Sequence, residues 1–386
     1  MFRFDLPPLL DLSKPGGRQV TIGSKFNSAS PSSSASASPP LPEGLGGSDS
    51  SSSASLFDRF SLANLDITEA SGSQTSLGFA DGPRFVIAKG TVHPEYQNLF
   101  FGRRLSDYGV ENTVVIKFQR GVNPLEVLHE AEILGLFNGD PGIIQSFGVE
   151  KIDRNKKYQS ALVLEYASGG NVADAVDKGS PITDRIRWLG QILAAVQRIH
   201  DKEVIHRDLK LENLYLDAEN NILIGDFGLA RLASNDTLFK GWIGGSITEM
   251  PPEICAEFLK AKQAASDNPY PARFAQFNPG EFGKPIDVWN IGLIIFDLFF
   301  YGDLFFNAGD QHHRMIDRVQ DRLTNYSEKL TSWATQVRAK KITQSMPESA
   351  LEALRTMMVS CFAQSPGSRP DITTLMSQFE TAFLSK

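Results

Sequence analysis

The order of its hydrophobic patterns is the feature of this 386-residue chain that most constrains its fold. Segments rich in β-branched and aromatic residues come first, and these predict strands. They cover residues 84–92, 99–103, 112–119, 143–149 and 161–166. Helical patterns dominate afterwards, over residues 184–200, 287–300, 315–337 and 349–362. Strands that precede helices in this way predict an α+β fold with two packed lobes, the first β-rich and the second helical.

One helical pattern lies among the predicted strands. Residues 124–137 have apolar side chains at helical spacing and a proline at the first position, which is typical of a helix start. The most apolar stretch, residues 291–306, contains Asp297 and Asp303 and is shorter than the roughly 20 residues that a membrane span needs. It predicts a buried core helix and its exit, and no membrane span.

The first 80 residues differ sharply in composition from the rest. Between residues 28 and 55 about half of the positions are serine, and most others are alanine, proline or glycine. Such a segment has too little apolar surface to offset the entropy of ordering, so residues 1–80 are predicted to form a disordered leader. Residues 56–70 (LFDRFSLANLDITEA) carry more apolar side chains. They are interpreted either as a transient helix or as a docking segment for the folded domain or a partner.

Charge and cysteine content exclude several classes of protein. The formal charge of −7, from 38 Lys and Arg against 45 Asp and Glu, argues against nucleic acid or an anionic membrane as the main partner. Cys255 and Cys361 cannot build a disulfide framework. Residues 1–10 include charged residues and two prolines, unlike a secretory signal peptide. A reducing compartment is therefore expected, which makes an intracellular, cytoplasmic protein the simpler prediction.

The strongest chemical signal is a pair of short motifs, residues 206–213 (HRDLKLEN) and residues 226–228 (DFG). The pair resembles the catalytic loop and the metal-binding turn of protein kinases. Their chemistry needs hard oxygen ligands for Mg²⁺ at the nucleotide phosphates and a further group that orients the attacking hydroxyl. The resemblance assigns Asn213 and Asp226 to the metal, Asp208 to the hydroxyl and Lys210 to the charge on the transferred phosphoryl group. A lysine two residues after the catalytic aspartate is typical of serine/threonine kinases.

Residues 114–117 (VVIK) resemble the third-strand motif of the same family, whose lysine contacts the α- and β-phosphates of the nucleotide. Here that lysine is Lys117, and its partner should be a glutamate on the following helix. Glu126, Glu130 and Glu132 are available. Glu130 matches the family pattern best, because apolar residues follow it at the third and fourth positions. Lys117 and Glu130 are therefore predicted to position the nucleotide.

Residues 162–170 (LVLEYASGG) resemble the passage from the last strand of the first lobe to the hinge between the lobes. In the family, backbone groups of this passage hold the adenine ring. The resemblance places Leu164 at the gatekeeper position, with Glu165 and Ala167 in the hinge beyond it. Backbone recognition leaves no side-chain signature, so this part of the resemblance depends on position more than on residue type.

Three further motifs extend the resemblance through the second lobe. They are residues 250–253 (MPPE), 287–292 (DVWNIG) and 365–370 (SPGSRP). The resemblance implies an ion pair between Glu253 and Arg369 and a buried central helix that begins at Asp287. Residues 256–284 form a longer segment than the family has and are predicted to be a surface insertion. The predicted division is a leader at 1–80 and a kinase domain at 81–386, with the lobes at 81–166 and 167–386.

The glycine-rich loop departs from the family pattern. Where the family has G-x-G-x-x-G, this chain has Ala88, Gly90 and His93, and His93 precedes a proline. Glycines there allow the backbone to approach phosphates closely. Two bulky residues also stand at the adenine site: Val115 replaces the usual alanine, and Tyr215 replaces the usual aliphatic residue below the ring. The predicted nucleotide-binding residues are Ala88, Gly90, Val115, Lys117, Leu164, Glu165, Ala167 and Tyr215.

These departures leave a pseudokinase, acting as a binding or scaffold module, as an alternative. Against it stand the intact Lys117, Asp208, Asn213 and Asp226, because neighbouring carboxylates are costly to place together without a cation. A small-molecule phosphotransferase of the same fold is a third class, which the catalytic-loop motif disfavours. The preferred interpretation is a serine/threonine protein kinase that uses ATP and Mg²⁺, with Mn²⁺ as an alternative ion, on a protein substrate.

The serine-rich leader has two functional interpretations. It is either a linker that carries phosphorylation sites or an export leader of the kind seen on bacterial effectors injected into host cells. The first interpretation fits a cytoplasmic protein, and the second fits secretion into a host cell. Composition alone does not separate them.

Overall fold

The computed structural model describes residues 84–91, 99–105, 111–118, 125–154, 157–233, 239–240, 251–254, 256, 276–277, 283–301 and 325–384. The predicted leader, with residues 56–70, lies outside the described residues. Most of the predicted insertion at 256–284 lies outside them as well. The predictions for these two segments therefore stay predictions.

Five strands form one antiparallel sheet in the first lobe. They are β1 (Arg84–Thr91), β2 (Leu99–Leu105), β3 (Glu111–Phe118), β4 (Ser146–Arg154) and β5 (Lys157–Glu165), in the spatial order β1-β2-β3-β5-β4. Side chains alternate along β3, since Val114, Ile116 and Phe118 are 0%, 0% and 3% exposed. Val115 and Lys117 therefore point to the other face of the sheet.

Helix α1 (Leu125–Gly135) connects β3 to β4 and packs on the sheet. Val127, Ile133 and Leu134 are at most 4% exposed. These side chains recur at helical spacing, so they fix which face of α1 meets the sheet. Glu130 lies on the same buried side and is 3% exposed.

The second lobe is mainly helical. Its helices are α2 (Val172–Asp177), α3 (Ile182–Asp201), α4 (Pro285–Phe299), α5 (Tyr326–Gln336), α6 (Glu348–Cys361) and α7 (Ile372–Phe383). Helix α4 is buried along nearly its whole length, and α6 packs directly against it. A helix that is apolar on all sides belongs in the centre of a domain. Trp289 of α4 and Trp188 of α3 are among the largest fully buried side chains.

Short strands hold the loops of the second lobe. They are β6 (Gly170–Asn171), β7 (Val204–Ile205), β8 (Leu214–Leu216), β9 (Ile222–Ile224), β10 (Arg231–Leu232), β11 (Phe239–Lys240), β12 (Gln276–Phe277), β13 (Phe300–Tyr301) and β14 (Arg338–Ala339). The ladders are β6-β8-β9, β7-β10, β11-β12 and β13-β14. Together, β7 to β10 bring residues 206–213 and 226–228 side by side.

The α+β fold with a β-rich first lobe and a helical second lobe is confirmed, although several boundaries differ. The strand predicted over 143–149 is β4, which starts at Ser146 because Ile143 bridges to Ile224 of the second lobe instead. The helix predicted over 315–337 is described only as α5. Among the described residues, no helix is both long and apolar enough to cross a membrane.

Candidate active site

One lysine and two carboxylates join the two lobes. Lys117 Nζ donates hydrogen bonds of 2.9 Å to both carboxylate oxygens of Glu130 and one of 2.8 Å to Oδ1 of Asp226. The three residues come from β3, from α1 and from the turn after β9. Their side chains are 23%, 4% and 43% exposed, respectively. The Glu130 carboxylate is therefore shielded from solvent, whereas the Asp226 carboxylate is accessible to solvent.

Local structure explains why these three side chains meet. Lys117 follows the buried Ile116 in β3, so the pleat turns it to the face that looks at the second lobe. Glu130 lies one helical turn from Val127 and Leu134, whose burial fixes the orientation of α1. Among the three glutamates that the sequence offered, Glu130 makes the contact with Lys117.

The charges of the cluster stabilise one another. Burial disfavours the charged form of Lys117, but the carboxylates of Glu130 and Asp226 outweigh it and raise the pKa of Lys117 above its usual range. The Lys117 ammonium in turn lowers the pKa of Asp226 against the opposing effect of burial. Electrostatic interactions with His206 and Lys210 lower the pKa of Asp226 further. Asp226 is therefore ionised at neutral pH, as a metal ligand must be.

A second polar cluster lies within residues 206–213. Lys210 Nζ donates a hydrogen bond of 3.1 Å to the Asp208 carboxylate. Asn213 Nδ2 donates two bonds of 2.8 Å, one to Oδ2 and one to the backbone oxygen of Asp208. A 3₁₀ turn over Leu211–Asn213 brings the asparagine back to the aspartate. The Asp208 side chain is 12% exposed, so its carboxylate is held in place and still reachable.

Asn213 and Asp226 fit a Mg²⁺ ion by their donor chemistry. Both hydrogen bonds to Asp208 use the nitrogen of the Asn213 amide, which leaves its oxygen directed elsewhere. Asp226 has a φ of 59°, and its carboxylate is partly exposed. One amide oxygen and one carboxylate are hard ligands of the kind that Mg²⁺ shares with nucleotide phosphates. No group of three or more His, Cys, Asp or Glu in the described part of the chain could hold a metal ion.

Asp287, in the first turn of α4, holds the backbone of residues 206–213. Its Oδ2 accepts a hydrogen bond of 2.8 Å from His206 N, and its Oδ1 accepts one of 2.7 Å from Arg207 N. His200 Nε2 lies 2.9 Å from Oδ2. Burial opposes the charged form, but the hydrogen bond and electrostatic interaction with His200, together with His206 and the Arg207 backbone, outweigh it, so the pKa of Asp287 is lowered. This fully buried carboxylate anchors the segment that presents Asp208.

Sequence reasoning missed this supporting role of Asp287 and did not name His200. The sequence did contain a signal. Asp287 opens a helix that is otherwise almost entirely apolar, and a carboxylate buried there must find hydrogen-bond donors. The identity of those donors depends on how α3 packs beside α4, which is a tertiary feature.

Phe227 orients the turn that carries Asp226. Its ring is fully buried, with its centroid 4.6 Å from that of His206 and 5.6 Å from that of Phe137. A ring anchored in the core constrains the residue before it. Asp226 consequently faces Lys117 and the space between the lobes.

The predicted adenine-binding residues lie at the end of the first-lobe sheet, in the connection between the lobes and on β8. Val115 is the cross-strand partner of Leu164, which is 7% exposed. Glu165 ends β5, and Ala167 follows it in the connection to the second lobe. Tyr215 lies on β8 of the second lobe and is partly buried. These residues thus come from both lobes, and their contact with a nucleotide stays a prediction.

The predicted phosphate-binding residues Ala88 and Gly90 lie within β1, which agrees with the strand predicted over residues 84–92. The pairing of β1 with β2 is irregular between Ile87 and Thr91. With a single glycine in the run, the strand continues to Thr91, since β-branched residues favour strands. His93 lies outside the described residues. A role of Ala88 and Gly90 in binding phosphate therefore stays a prediction.

Known proteins share this sequence pattern. The family described as protein kinase domain matches residues 112–379. The serine/threonine-protein kinase SIK3 homolog of Danio rerio is 32% identical over 178 residues, which cover 46% of this chain and 13% of that protein. The NUAK family SNF1-like kinase 1 of Mus musculus is 28% identical over 205 residues, which cover 53% of this chain and 27% of that protein. The chain thus spans less than a third of the length of either relative.

Proposed function

The chain belongs to the protein kinase family, and on that premise we propose that it transfers the γ-phosphoryl group of ATP to serine or threonine hydroxyls of a protein substrate. The convergence of Lys117, Glu130 and Asp226 between the lobes carries this proposal. Those contacts leave one carboxylate open to solvent beside a fixed cation, which is the arrangement a metal-bound triphosphate needs.

Lys117 binds the α- and β-phosphates in the proposed enzyme. Glu130 holds the ammonium group through both carboxylate oxygens, so the lysine side chain is already ordered before the nucleotide binds. Pre-positioned charges cost no reorganisation at the moment of reaction and therefore favour the transition state.

Asp208 orients the acceptor hydroxyl and receives its proton. The hydroxyl oxygen forms a bond to the γ-phosphorus while the bond from that phosphorus to the β-phosphate oxygen breaks, and ADP leaves. Asn213 fixes the Asp208 carboxylate from one side. Lys210, 3.1 Å from the same carboxylate, is close enough to neutralise charge that develops on the phosphoryl oxygens.

Asn213 Oδ1 and the Asp226 carboxylate are the groups of this chain that would hold Mg²⁺. When bound, the ion supplies positive charge to the β- and γ-phosphate oxygens. Mn²⁺ accepts the same hard oxygen ligands and is the alternative ion. The lysine at position 210 supports serine or threonine as the acceptor, and so does the similarity to the serine/threonine-protein kinase of Danio rerio.

The test is transfer of label from γ-labelled ATP to a generic protein substrate, with Mg²⁺ or Mn²⁺. Wild type should transfer phosphate, and Asp208→Asn and Asp226→Ala should lose the activity. Asp201→Ala is the matched control, because Asp201 is an exposed aspartate at the end of α3, away from both clusters. Nucleotide binding by wild type without any transfer would contradict the proposal and favour a pseudokinase that acts as a binding module.

We also propose an intracellular, cytoplasmic setting. The low cysteine count supports it, and Cys361 is a buried free thiol whose pKa burial raises to about 12, so it is chemically inert. Export of the chain as a bacterial effector remains the alternative for the leader. Deleting residues 1–55 and measuring both secretion and kinase activity separates the two. Unchanged secretion of the truncated chain would end the effector interpretation.

A further inference from the structure

His129 lies on α1 next to Glu130 and reaches a different part of the molecule. Its Nε2 atom is 2.8 Å from the backbone oxygen of Ala230, which follows the turn that carries Asp226. Successive residues of a helix point in directions about 100° apart. Glu130 therefore faces Lys117 of the first lobe, while His129 faces the second lobe.

Arg231 joins the same contact from the second lobe. Its Nη1 atom donates a hydrogen bond of 2.6 Å to the Ala230 oxygen and lies 2.8 Å from His129 Nε2. In one tautomer of the imidazole ring, Nε2 donates to the Ala230 oxygen, and in the other it accepts a hydrogen bond from Arg231. Both tautomers tie α1 to residues 230–231.

The carbonyl group that His129 contacts is a fixed point of the second lobe. Ala230 is 0% exposed, and its N–H donates a hydrogen bond of 3.0 Å to the backbone oxygen of Phe227, which closes a 3₁₀ turn. Arg231 begins β10, which pairs with β7 directly before residues 206–213. His129 thus joins α1 to backbone that is continuous with both polar clusters of the candidate site.

A second link between α1 and the second lobe lies beyond the end of the helix. Lys202 donates hydrogen bonds to the Leu136 oxygen and, at 2.7 Å, to the Asp140 carboxylate. The Lys202 and Asp140 side chains are partly exposed, and such ion pairs contribute little stability. Glu130 lies six residues before Leu136, which is about 9 Å at the rise of a helix. The contact at His129 is adjacent to Glu130 and therefore controls its position more directly.

We propose that His129 is a positioning residue that keeps Glu130 within bonding distance of Lys117. It does so by tying α1 to the backbone of the second lobe at Ala230. The inference rests on the proposed function, in which Lys117 binds the phosphates of ATP. His129 touches neither the nucleotide nor the acceptor in this account and acts only through Glu130. When the tie is lost, α1 moves away from the second lobe, and the Lys117 ammonium loses one of its two carboxylates.

This role predicts which kinetic constant changes. In the proposed enzyme the hinge holds the base and Lys117 holds the phosphates, so a displaced α1 disturbs the transferred group more than the affinity for ATP. His129→Ala should lower kcat about tenfold, which corresponds to about one lost hydrogen bond, and should raise KM for ATP by less than about twofold. Alanine favours helices, so α1 itself is not weakened.

His129→Gln and His129→Leu are a matched pair of similar size. The glutamine amide can donate to the carbonyl and accept from Arg231, so His129→Gln should keep most of the wild-type kcat. His129→Leu should lose activity like His129→Ala and replaces it in the test if the alanine variant does not fold. Equal losses in the matched pair would assign the effect to packing and overturn the proposal. Glu132→Ala is the control, because Glu132 is exposed on the same helix, and it should leave kcat unchanged.

The double variant His129→Ala/Glu130→Ala decides whether His129 acts through Glu130. Glu130→Ala alone should lower kcat, because Lys117 loses its bidentate partner. The double variant should be no slower than Glu130→Ala, since the position of α1 no longer matters once the carboxylate is gone. Independent effects would multiply, so a further loss of about tenfold would overturn the positioning role.

Two results separate this inference from the proposed function. Wild type that transfers no phosphate would overturn both. Wild type that transfers phosphate while His129→Ala keeps the full kcat, or changes only KM for ATP, would overturn the positioning role alone. A melting temperature for each variant shows that the kinetic constants are measured on folded protein.

Discussion

Two groups of oppositely charged side chains in this molecule have similar chemistry and different surroundings. Lys117 is shared by Glu130 and Asp226 across the two lobes, and the Asp226 side chain is 43% exposed. Arg369 makes two parallel hydrogen bonds of 2.7 Å to Glu253, and its side chain is 0% exposed. The first, open group is therefore accessible to solvent at Asp226, and the second, closed group is shielded from solvent at Arg369.

The second group is closed by further contacts. Arg369 also donates hydrogen bonds of 3.0 Å to the backbone oxygens of Ala363 and Pro285 and lies over the ring of Trp289. The ion pair that the sequence predicted between Glu253 and Arg369 is thus confirmed. The comparison teaches that exposure separates the two roles: removing a charge from the open group should change activity, and removing one from the closed group should change stability.

Asp226→Asn tests the open group and should have the largest effect. The rate of phosphate transfer should fall by about a thousandfold or more, because in the proposed enzyme the variant loses the negative charge that would hold the metal ion. The melting temperature should change by only about 2 °C, because the carboxylate is partly exposed. Steady-state transfer rates and thermal unfolding measure the two effects. A large loss of stability with activity retained would reverse the comparison.

Arg369→Ala tests the closed group. It should lower the free energy of unfolding by about 3–5 kcal/mol, because it leaves Glu253 without its partner. The specific activity of the protein that remains folded should stay close to that of wild type. Arg338→Ala, at an exposed arginine, is the control and should change stability by less than about 0.5 kcal/mol. Denaturant titration and activity assays at low temperature give both values, and a specific loss of activity would contradict the architectural role.

Asp297→Asn sharpens the comparison, because Asp297 is a largely buried carboxylate. The nearby Lys340 offsets the effect of burial on its pKa only in part. Burial raises the pKa of Asp297 from its usual 3.8 to about 6, and the nearby Glu212 adds to the shift. An acid whose folded pKa is raised stabilises the fold while protonated, so this contribution is lost as pH rises from about 4 through about 6. The variant should therefore be about 2 kcal/mol more stable than wild type at pH 7.5.

At pH 4 the variant and wild type should differ much less in stability, since the wild-type carboxyl group is then neutral in the folded state and only about half ionised in the unfolded state. Denaturant titration at the two pH values measures the difference. Equal stabilities at pH 7.5 would show that the raised pKa of Asp297 has no energetic consequence.

Asp371→Ala should have the smallest effect. Asp371 caps α7 by accepting a hydrogen bond of 2.8 Å from Thr374 N, and the hydrogen bonds from Thr374 lower the pKa of Asp371. Loss of the cap should cost about 1 kcal/mol of unfolding free energy, with no change in activity. Asp371→Asn keeps an oxygen acceptor and should be nearly neutral. Equal destabilisation by both variants would assign the effect to charge instead of capping.

The sequence predicted the polar groups of the site better than the contacts that hold them. Lys117, Asp208 and Asn213 stand in short motifs whose residue types are dictated by phosphate and metal chemistry, so they are visible without a structure. Glu130 was one of three glutamates that could have paired with Lys117. The packing of α1 on the sheet decides which of the three reaches the lysine.

Other features depend on how distant segments meet. The contact between Gly225 and Tyr215 follows from the register of β8 and β9. The hydrogen bond between His200 and Asp287 follows from the packing of α3 beside α4. Neither has a local sequence pattern. The start of β4 was misplaced for the same reason, since residue 143 joins the second lobe instead of the sheet.

The central claim is that side chains from both lobes meet around a magnesium-bound nucleotide, and the effect of Mg²⁺ on ADP affinity tests it most directly. The dissociation constant of ADP is measured with and without Mg²⁺ for wild type and Asp226→Asn. The ion should tighten binding about tenfold in wild type and have no effect in the variant. The same response to Mg²⁺ in both proteins, or no response in either, would contradict the claim.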